Sequence, residues 1–75
     1  MTYSAAQLET IAKQNNLQTK VVIPNKFEEV EYLVVNLGNF TSAYFLMDNI
    51  TFNYTYSHTY NAAKDTKTKR LPKGF

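Results

Sequence analysis

The stretch EVEYLVVNLGNFTSAYFLM, residues 29–47, contains two apolar runs on either side of a glycine–asparagine pair. The pair Gly38-Asn39 favours the two-residue turn of a β-hairpin. If these two residues form the loop, their neighbours face each other, and counting outward sets one register for both strands. The stretch therefore predicts a hairpin with strands at about 29–37 and 40–47.

The next stretch, NITFNYTYSHTY at residues 49–60, alternates strictly between large or aromatic residues and small polar ones. Alternation with a period of two is typical of a strand with one face in water. Asp48-Asn49 predicts a second, weaker tight turn before it. We therefore expect a further strand at about 50–58.

The two predicted turns together place apolar side chains on one face of the sheet, because directly opposed residues share a face. A slip of one residue in either hairpin would destroy this agreement. We expect a helix to cover this face. It carries Val30, Tyr32, Val34, Ala43, Phe45, Met47, Ile50, Phe52 and Tyr54.

The N-terminal segment SAAQLETIAKQNN, residues 4–16, predicts that helix. Ser4 is a favourable N-cap, and Gln7 three residues later completes a capping box. Asn15 and Asn16 are residues at which a helix commonly ends.

Two more segments complete the predicted topology. A short β-branched run predicts a strand at about 19–23, whose place in the sheet the sequence leaves open. The basic segment 61–75 is either a tail or contains a short fifth strand at 66–71. The predicted fold is α+β within a single small domain, residues 1–75, with one N-terminal helix packed on an antiparallel four-stranded β-meander.

Composition limits the function classes. The chain contains no cysteine, which excludes disulfides, thiolate metal sites and cysteine nucleophiles and favours an intracellular, cytoplasmic location. No apolar run approaches the roughly 20 residues that span a bilayer, so we expect no membrane partner.

Catalytic residues are scarce in this sequence. His58 is the one histidine and adjoins Ser57, but neighbours on a strand point to opposite faces, so we expect no hydrogen-bonded pair. Glu29 and Glu31 share a face, a pattern more typical of a solvated strand than of paired acids. We therefore predict that the chain is not an enzyme and has no cofactor, metal site or small-molecule substrate.

The second face of the predicted sheet carries an apolar patch that a single helix leaves uncovered, and such patches usually mark interfaces. The abundance of Asn, Lys, Thr and Tyr is a bias associated with AT-rich bacterial or phage genomes. We therefore expect a regulator or stoichiometric inhibitor that occludes a partner protein, of a phage or mobile-element type by compositional analogy alone, with homodimerisation as a close variant. The residues expected to bind the partner are Leu33, Val35, Leu37, Phe40, Tyr44 and Leu46.

Nucleic-acid binding is the alternative, because the charge is unevenly distributed. Residues 60–75 hold five cations and one carboxylate, a net charge of +4, whereas residues 1–59 carry −2. Aromatic side chains on a sheet with cations nearby are able to stack bases and hold phosphates. The residues expected to bind in this alternative are Lys64, Lys67, Lys69, Arg70 and Lys73, with Tyr56 and Tyr60 as stacking candidates.

Overall fold

The computed structural model describes residues 2–27 and 30–75 and consists of one helix and one antiparallel sheet, which confirms the α+β class. Glu29, the predicted first residue of the second strand, lies outside the described residues. The sheet order is β1-β5-β4-β3-β2, and β6 also pairs with β5. The elements are β1 (Thr2–Tyr3), α1 (Ala5–Gln14), β2 (Gln18–Val22), β3 (Tyr32–Gly38), β4 (Thr41–Met47), β5 (Tyr54–Asn61) and β6 (Thr66–Thr68).

The helix α1 begins and ends where its local sequence predicts. The Ser4 Oγ accepts a hydrogen bond from the Gln7 backbone N–H at 3.1 Å, and the Gln7 Oε1 accepts one from the Ser4 N–H at 2.8 Å. Asn15 is the C-cap, and Asn16 has a φ of 56°, the left-handed conformation that commonly ends a helix. At ten residues, α1 is too short to cross a membrane, and no other helix occurs in the described ranges.

The hairpin between β3 and β4 uses a different turn from the predicted one. Its loop residues are Asn39 and Phe40, which have φ values of 53° and 61°, and positive φ at both positions is the mark of a type I′ turn. Gly38 belongs to β3, and the register shift between Asn36 and Gly38 leaves Leu37 as the extra residue of a β-bulge.

This change of turn reverses the faces of β3, so the predicted register was wrong. Tyr32 lies opposite Leu46, one residue away from its predicted partner Phe45. Because side chains alternate with a period of two, a shift of one residue exchanges the buried and the open set. Leu33 and Val35 are therefore fully buried, at 0% exposure.

The connection between β4 and β5 is a six-residue loop, 48–53, and the predicted tight turn at Asp48-Asn49 was also wrong. Met47 pairs with Tyr54. The Asp48 carboxylate organises the loop by accepting a hydrogen bond from the Ile50 N–H at 2.8 Å. The predicted core residues that lie elsewhere are Val30, Ile50 and Phe52 in loops, and Tyr32 and Val34 on the opposite face of the sheet.

A second bulge lies in β5. Phe45 pairs with Tyr56 whereas its neighbour Tyr44 pairs with His58, which leaves Ser57 as the extra residue. Tyr54 and Tyr56, before the bulge, face the core, whereas His58 and Tyr60, after it, lie on the open face. The even-numbered aromatic residues of this strand are therefore divided between the two faces.

The C-terminal segment contributes both a strand and part of the core. After β6, the chain reaches the helical side of the sheet, where Leu71 packs against the core and Phe75 is buried. The Phe75 ring lies 5.7 Å from that of Phe45, and the Tyr3 hydroxyl donates a hydrogen bond to the Phe75 backbone oxygen. The buried core consists of Tyr3, Leu8, Ala12, Leu33, Val35, Ala43, Phe45, Tyr54 and Phe75.

Candidate binding surface on the open sheet face

The face of the sheet away from α1 carries a row of aromatic rings. Tyr44 and His58 are directly opposed on β4 and β5, and their rings stack with centroids 4.7 Å apart and an interplanar angle of 11°. The ring of Tyr32 on β3 lies 5.6 Å from that of Tyr44. Cross-strand aromatic pairs of this kind stabilise a sheet and hold one another in position.

An open cleft of about 370 Å³ lies over this row, a volume within the range of small-molecule sites, roughly 300–1,000 Å³. We call it the aromatic cleft. Its lining residues are Tyr32, Tyr44, Leu46, His58, Tyr60 and Lys67. A larger groove of about 540 Å³ lies along α1, but no charged residue lines it.

One side of the aromatic cleft is basic. Lys67 on β6 lies directly opposite Tyr60 on β5. The Tyr60 hydroxyl donates to the Asp65 Oδ1 at 2.6 Å, and this hydrogen bond raises the pKa of Tyr60. Burial lowers the pKa of His58, and the positive charge of Lys67 lowers it further, so both favour the neutral imidazole. The cleft therefore combines neutral rings with one ammonium group.

The expected separation of Ser57 and His58 was wrong. The Ser57 Oγ lies 3.0 Å from the His58 Nδ1, within hydrogen-bonding distance. Neighbours on a regular strand point apart, but the bulge at Ser57 breaks that alternation. The hydrogen bond fixes the orientation of the imidazole within the aromatic cleft.

The residues predicted for nucleic acid are only partly brought together. Tyr60 and Lys67 line the aromatic cleft. Tyr56 instead faces the core, where its ring lies 5.5 Å from Phe45 and its hydroxyl donates to the Arg70 backbone oxygen at 2.9 Å. The other predicted cations lie outside the cleft lining: Lys64 in the β5–β6 turn, and Lys69, Arg70 and Lys73 in the segment after β6.

The residues predicted for a protein partner do not form one surface, because that set depended on the wrong register. Two of its members, Leu33 and Val35, are in the core and have no exposed surface. The structure places Leu33 and Val35 in the core, Leu37 against it, Phe40 in the β3–β4 turn, and Tyr44 and Leu46 on the open face.

A second exposed surface lies at one end of the sheet. The β2–β3 and β4–β5 loops meet there, because Val22 pairs with Tyr32 and the Met47 N–H donates to the Glu31 backbone oxygen at 2.9 Å. We call this surface the apolar loop end. Its large apolar side chains, 39–88% exposed, are Ile23, Phe27, Val30, Ile50 and Phe52.

A hydrogen bond of Tyr54 connects β5 to the apolar loop end. Its hydroxyl donates to the Glu31 Oε2 at 2.8 Å, although Tyr54 itself is buried. Burial first, and then the hydrogen bond and charge of Glu31, raise the pKa of Tyr54 to about 12. This contact joins β5 to the end of the β2–β3 loop.

Sequence reasoning missed Tyr32 and His58 as members of the surface. Tyr32 was placed in the core by the predicted register, and His58 was treated only as a lone histidine. One signal was available: Leu33, Val35 and Leu37 form a purely aliphatic set, whereas Tyr32 carries a polar hydroxyl suited to a wet face.

The described residues contain no group of three or more His, Asp or Glu side chains able to hold a metal ion. Comparison with family models, with curated proteins and with solved structures found no match to this chain.

Proposed function

We propose that this chain is a non-catalytic cytoplasmic binding protein whose aromatic cleft binds nucleic acid. The observation that carries the proposal is the cleft lining itself: the stacked Tyr44–His58 pair, the ring of Tyr60 and the ammonium group of Lys67 face one space. Rings on a sheet offer surfaces to bases, and a neighbouring cation attracts phosphate.

The charge distribution supports the same ligand. Residues 60–75 carry a net charge of +4, so the cations nearest to Lys67 along the chain increase the positive potential around β6. The one carboxylate in that segment, Asp65, accepts a hydrogen bond from Tyr60. An approaching polyanion would therefore meet the basic side of the cleft.

Sedimentation with a mixed-sequence oligonucleotide tests this function. At low salt the protein should co-sediment with the oligonucleotide, and physiological salt should weaken the complex. One to five phosphate contacts would give a log–log salt slope between about −0.7 and −4.5. A protein that sediments alone at low salt would overturn the proposal.

A regulator or inhibitor that occludes a partner protein is the second candidate, and the apolar loop end favours it. Five large apolar side chains exposed on two adjoining loops exceed the scattered exposure that is ordinary for a protein surface. Phe27 and Phe52 are the aromatic side chains among them, a residue type enriched at interfaces. Homodimerisation through the same surface is the close variant.

Matched variants test this second candidate. Phe52→Ser should abolish concentration-dependent dimerisation, or capture of a partner from a lysate of the source organism. Phe40→Ser removes an equally exposed phenylalanine from the opposite end of the sheet and should change neither. Equal behaviour of both variants and the wild type would exclude the apolar loop end as the interface.

A further inference from the structure

We infer that the aromatic cleft selects single-stranded over double-stranded nucleic acid, by taking one unpaired base among its rings with the adjoining phosphate at Lys67. This inference rests on the proposed nucleic-acid function and specifies the ligand of that same site.

The size of the cleft supports an unpaired base. Its volume is about 370 Å³, and it is a shallow depression, open to solvent, over rings on three adjacent strands. The bases of a duplex are stacked and paired, and presenting one to such a depression requires the duplex to open. A single strand presents its bases without that cost.

The rings are held in place before a ligand arrives. Tyr44 is fixed by its stacked partner His58, whose imidazole is in turn oriented by the Ser57 hydroxyl. Tyr60 is fixed by its hydrogen bond to Asp65. A preorganised site loses less side-chain entropy on binding.

The cation count disfavours a duplex. Sequence-independent duplex binding depends on neutralising several phosphates at once. Lys67 is the one cation among the residues lining the cleft, and the segment that carries Lys69, Arg70 and Lys73 continues to the helical side of the sheet. Affinity at this site must therefore come largely from contact between base and rings.

Fluorescence anisotropy with a labelled thymidine oligomer of about ten nucleotides, within the size range of single-strand sites, measures this preference. The comparison ligand is a hairpin duplex with the same number of phosphates. We expect the duplex to bind at least tenfold more weakly at low salt. Equal binding would overturn the single-strand inference while leaving a nucleic-acid function in place, and binding to neither ligand would overturn both.

Two pairs of variants locate the site. Tyr60→Leu should weaken binding of the oligomer by roughly 5- to 150-fold, the equivalent of one stacked base. Tyr60→Phe keeps the ring and loses only the hydrogen bond to Asp65 that holds it, so it should weaken binding much less than Tyr60→Leu. Lys67→Ala should reduce the magnitude of the salt slope by about 0.7, whereas Lys73→Ala removes the same charge outside the cleft lining and should leave the slope unchanged.

Two results with these variants would contradict the proposed site. If Lys67→Ala and Lys73→Ala weaken binding equally, the basic segment binds as a whole and the cleft is not the site. If Tyr60→Leu binds like the wild type while retaining its circular dichroism spectrum, no base packs against that ring. Either result overturns the inference.

Discussion

Leu37 and Ser57 mark the two positions at which the sheet changes which side chains face the helix. Each is the extra residue of a bulge. Across a bulge, the side chains that would face one side of a regular strand face the other side. As a result, Leu33 is fully buried and Leu46 is 42% exposed, although the predicted register placed both on one open face.

Substitution of these two leucines by aspartate tests the register. A carboxylate at Leu33 would be buried without a partner, at a cost of several kcal/mol. That cost is comparable with the total of about 4–11 kcal/mol expected for a 75-residue chain, so Leu33→Asp should unfold the protein. Leu46→Asp should retain the fold. Circular dichroism and thermal melting distinguish the two, and a folded Leu33→Asp variant would contradict the register.

Tyr54 makes stability sensitive to alkaline pH. Its pKa is about 12 in the folded protein against 10 for the free side chain, so the folded state holds this proton more tightly. The contribution of Tyr54 to the free energy of unfolding should therefore be constant below pH 10 and should fall by up to about 2.7 kcal/mol between pH 10 and 12.

Tyr54→Phe should reduce this alkaline loss, as measured by urea unfolding at pH 8 and at about pH 11. A smaller loss should persist in the variant, because burial also raises the pKa of Tyr3. If Tyr54→Phe and the wild type show the same pH dependence of unfolding, the hydroxyl of Tyr54 is not buried as described.

The two bulges are among the features that local sequence did not predict. The pair Gly38-Asn39 fits two arrangements equally well. Either both residues form a two-residue loop, or Gly38 lies in a bulge and Asn39 is the first residue of the loop. Glycine and asparagine both tolerate the positive φ that each arrangement requires. The choice between them depends on which side chains α1 buries, and that is a tertiary effect. The position of Tyr32 in the aromatic cleft follows from that choice, and the position of His58 follows from the bulge at Ser57.

Among the elements, those governed by local interactions were predicted well. The start and end of α1 follow from Ser4, Gln7 and Asn15, whose caps require no distant residue. Strands β2 to β5 were expected, but their bounds shifted, most of all where the loop 48–53 replaced a predicted tight turn. The short strand β1 was missed, because two residues carry no periodic pattern.

The segment after β6 should be essential for stability. Phe75 is buried against Phe45, and the Arg70 backbone oxygen accepts hydrogen bonds from Tyr56 and Thr59. Phe75→Ala removes a buried aromatic side chain and should cost about 3 kcal/mol, measured by chemical denaturation. Lys73→Ala, in the same segment but exposed, is the control and should change stability by less than about 0.5 kcal/mol. Equal stability of the two variants would show that the segment is an appendage.

At the scale of the whole molecule, one face of the sheet is covered and the other is available. The helix and the C-terminal segment cover one face. The aromatic cleft lies on the other face and is formed by residues of four strands, β3 to β6. The apolar loop end adjoins it, since Tyr32 and Leu46 pair at the end of β3 nearest those loops. The molecule thus presents two neighbouring surfaces of different chemistry.

The two surfaces should act independently, because no residue of the apolar loop end lines the aromatic cleft. Phe27→Ser should therefore leave the affinity for a single-stranded oligonucleotide within about twofold of the wild type. Anisotropy measures this, and a large loss of affinity would assign the loops to the nucleic-acid site.

The most direct test of the account is a titration of the ¹⁵N-labelled protein with a short single-stranded oligonucleotide, followed by amide chemical shifts. We predict that the shifts concentrate on the open face, at Tyr32, Tyr44, His58, Tyr60 and Lys67. Shifts confined to the apolar loop end or to α1, or a spectrum that the oligonucleotide leaves unchanged, would contradict the aromatic cleft as a nucleic-acid site.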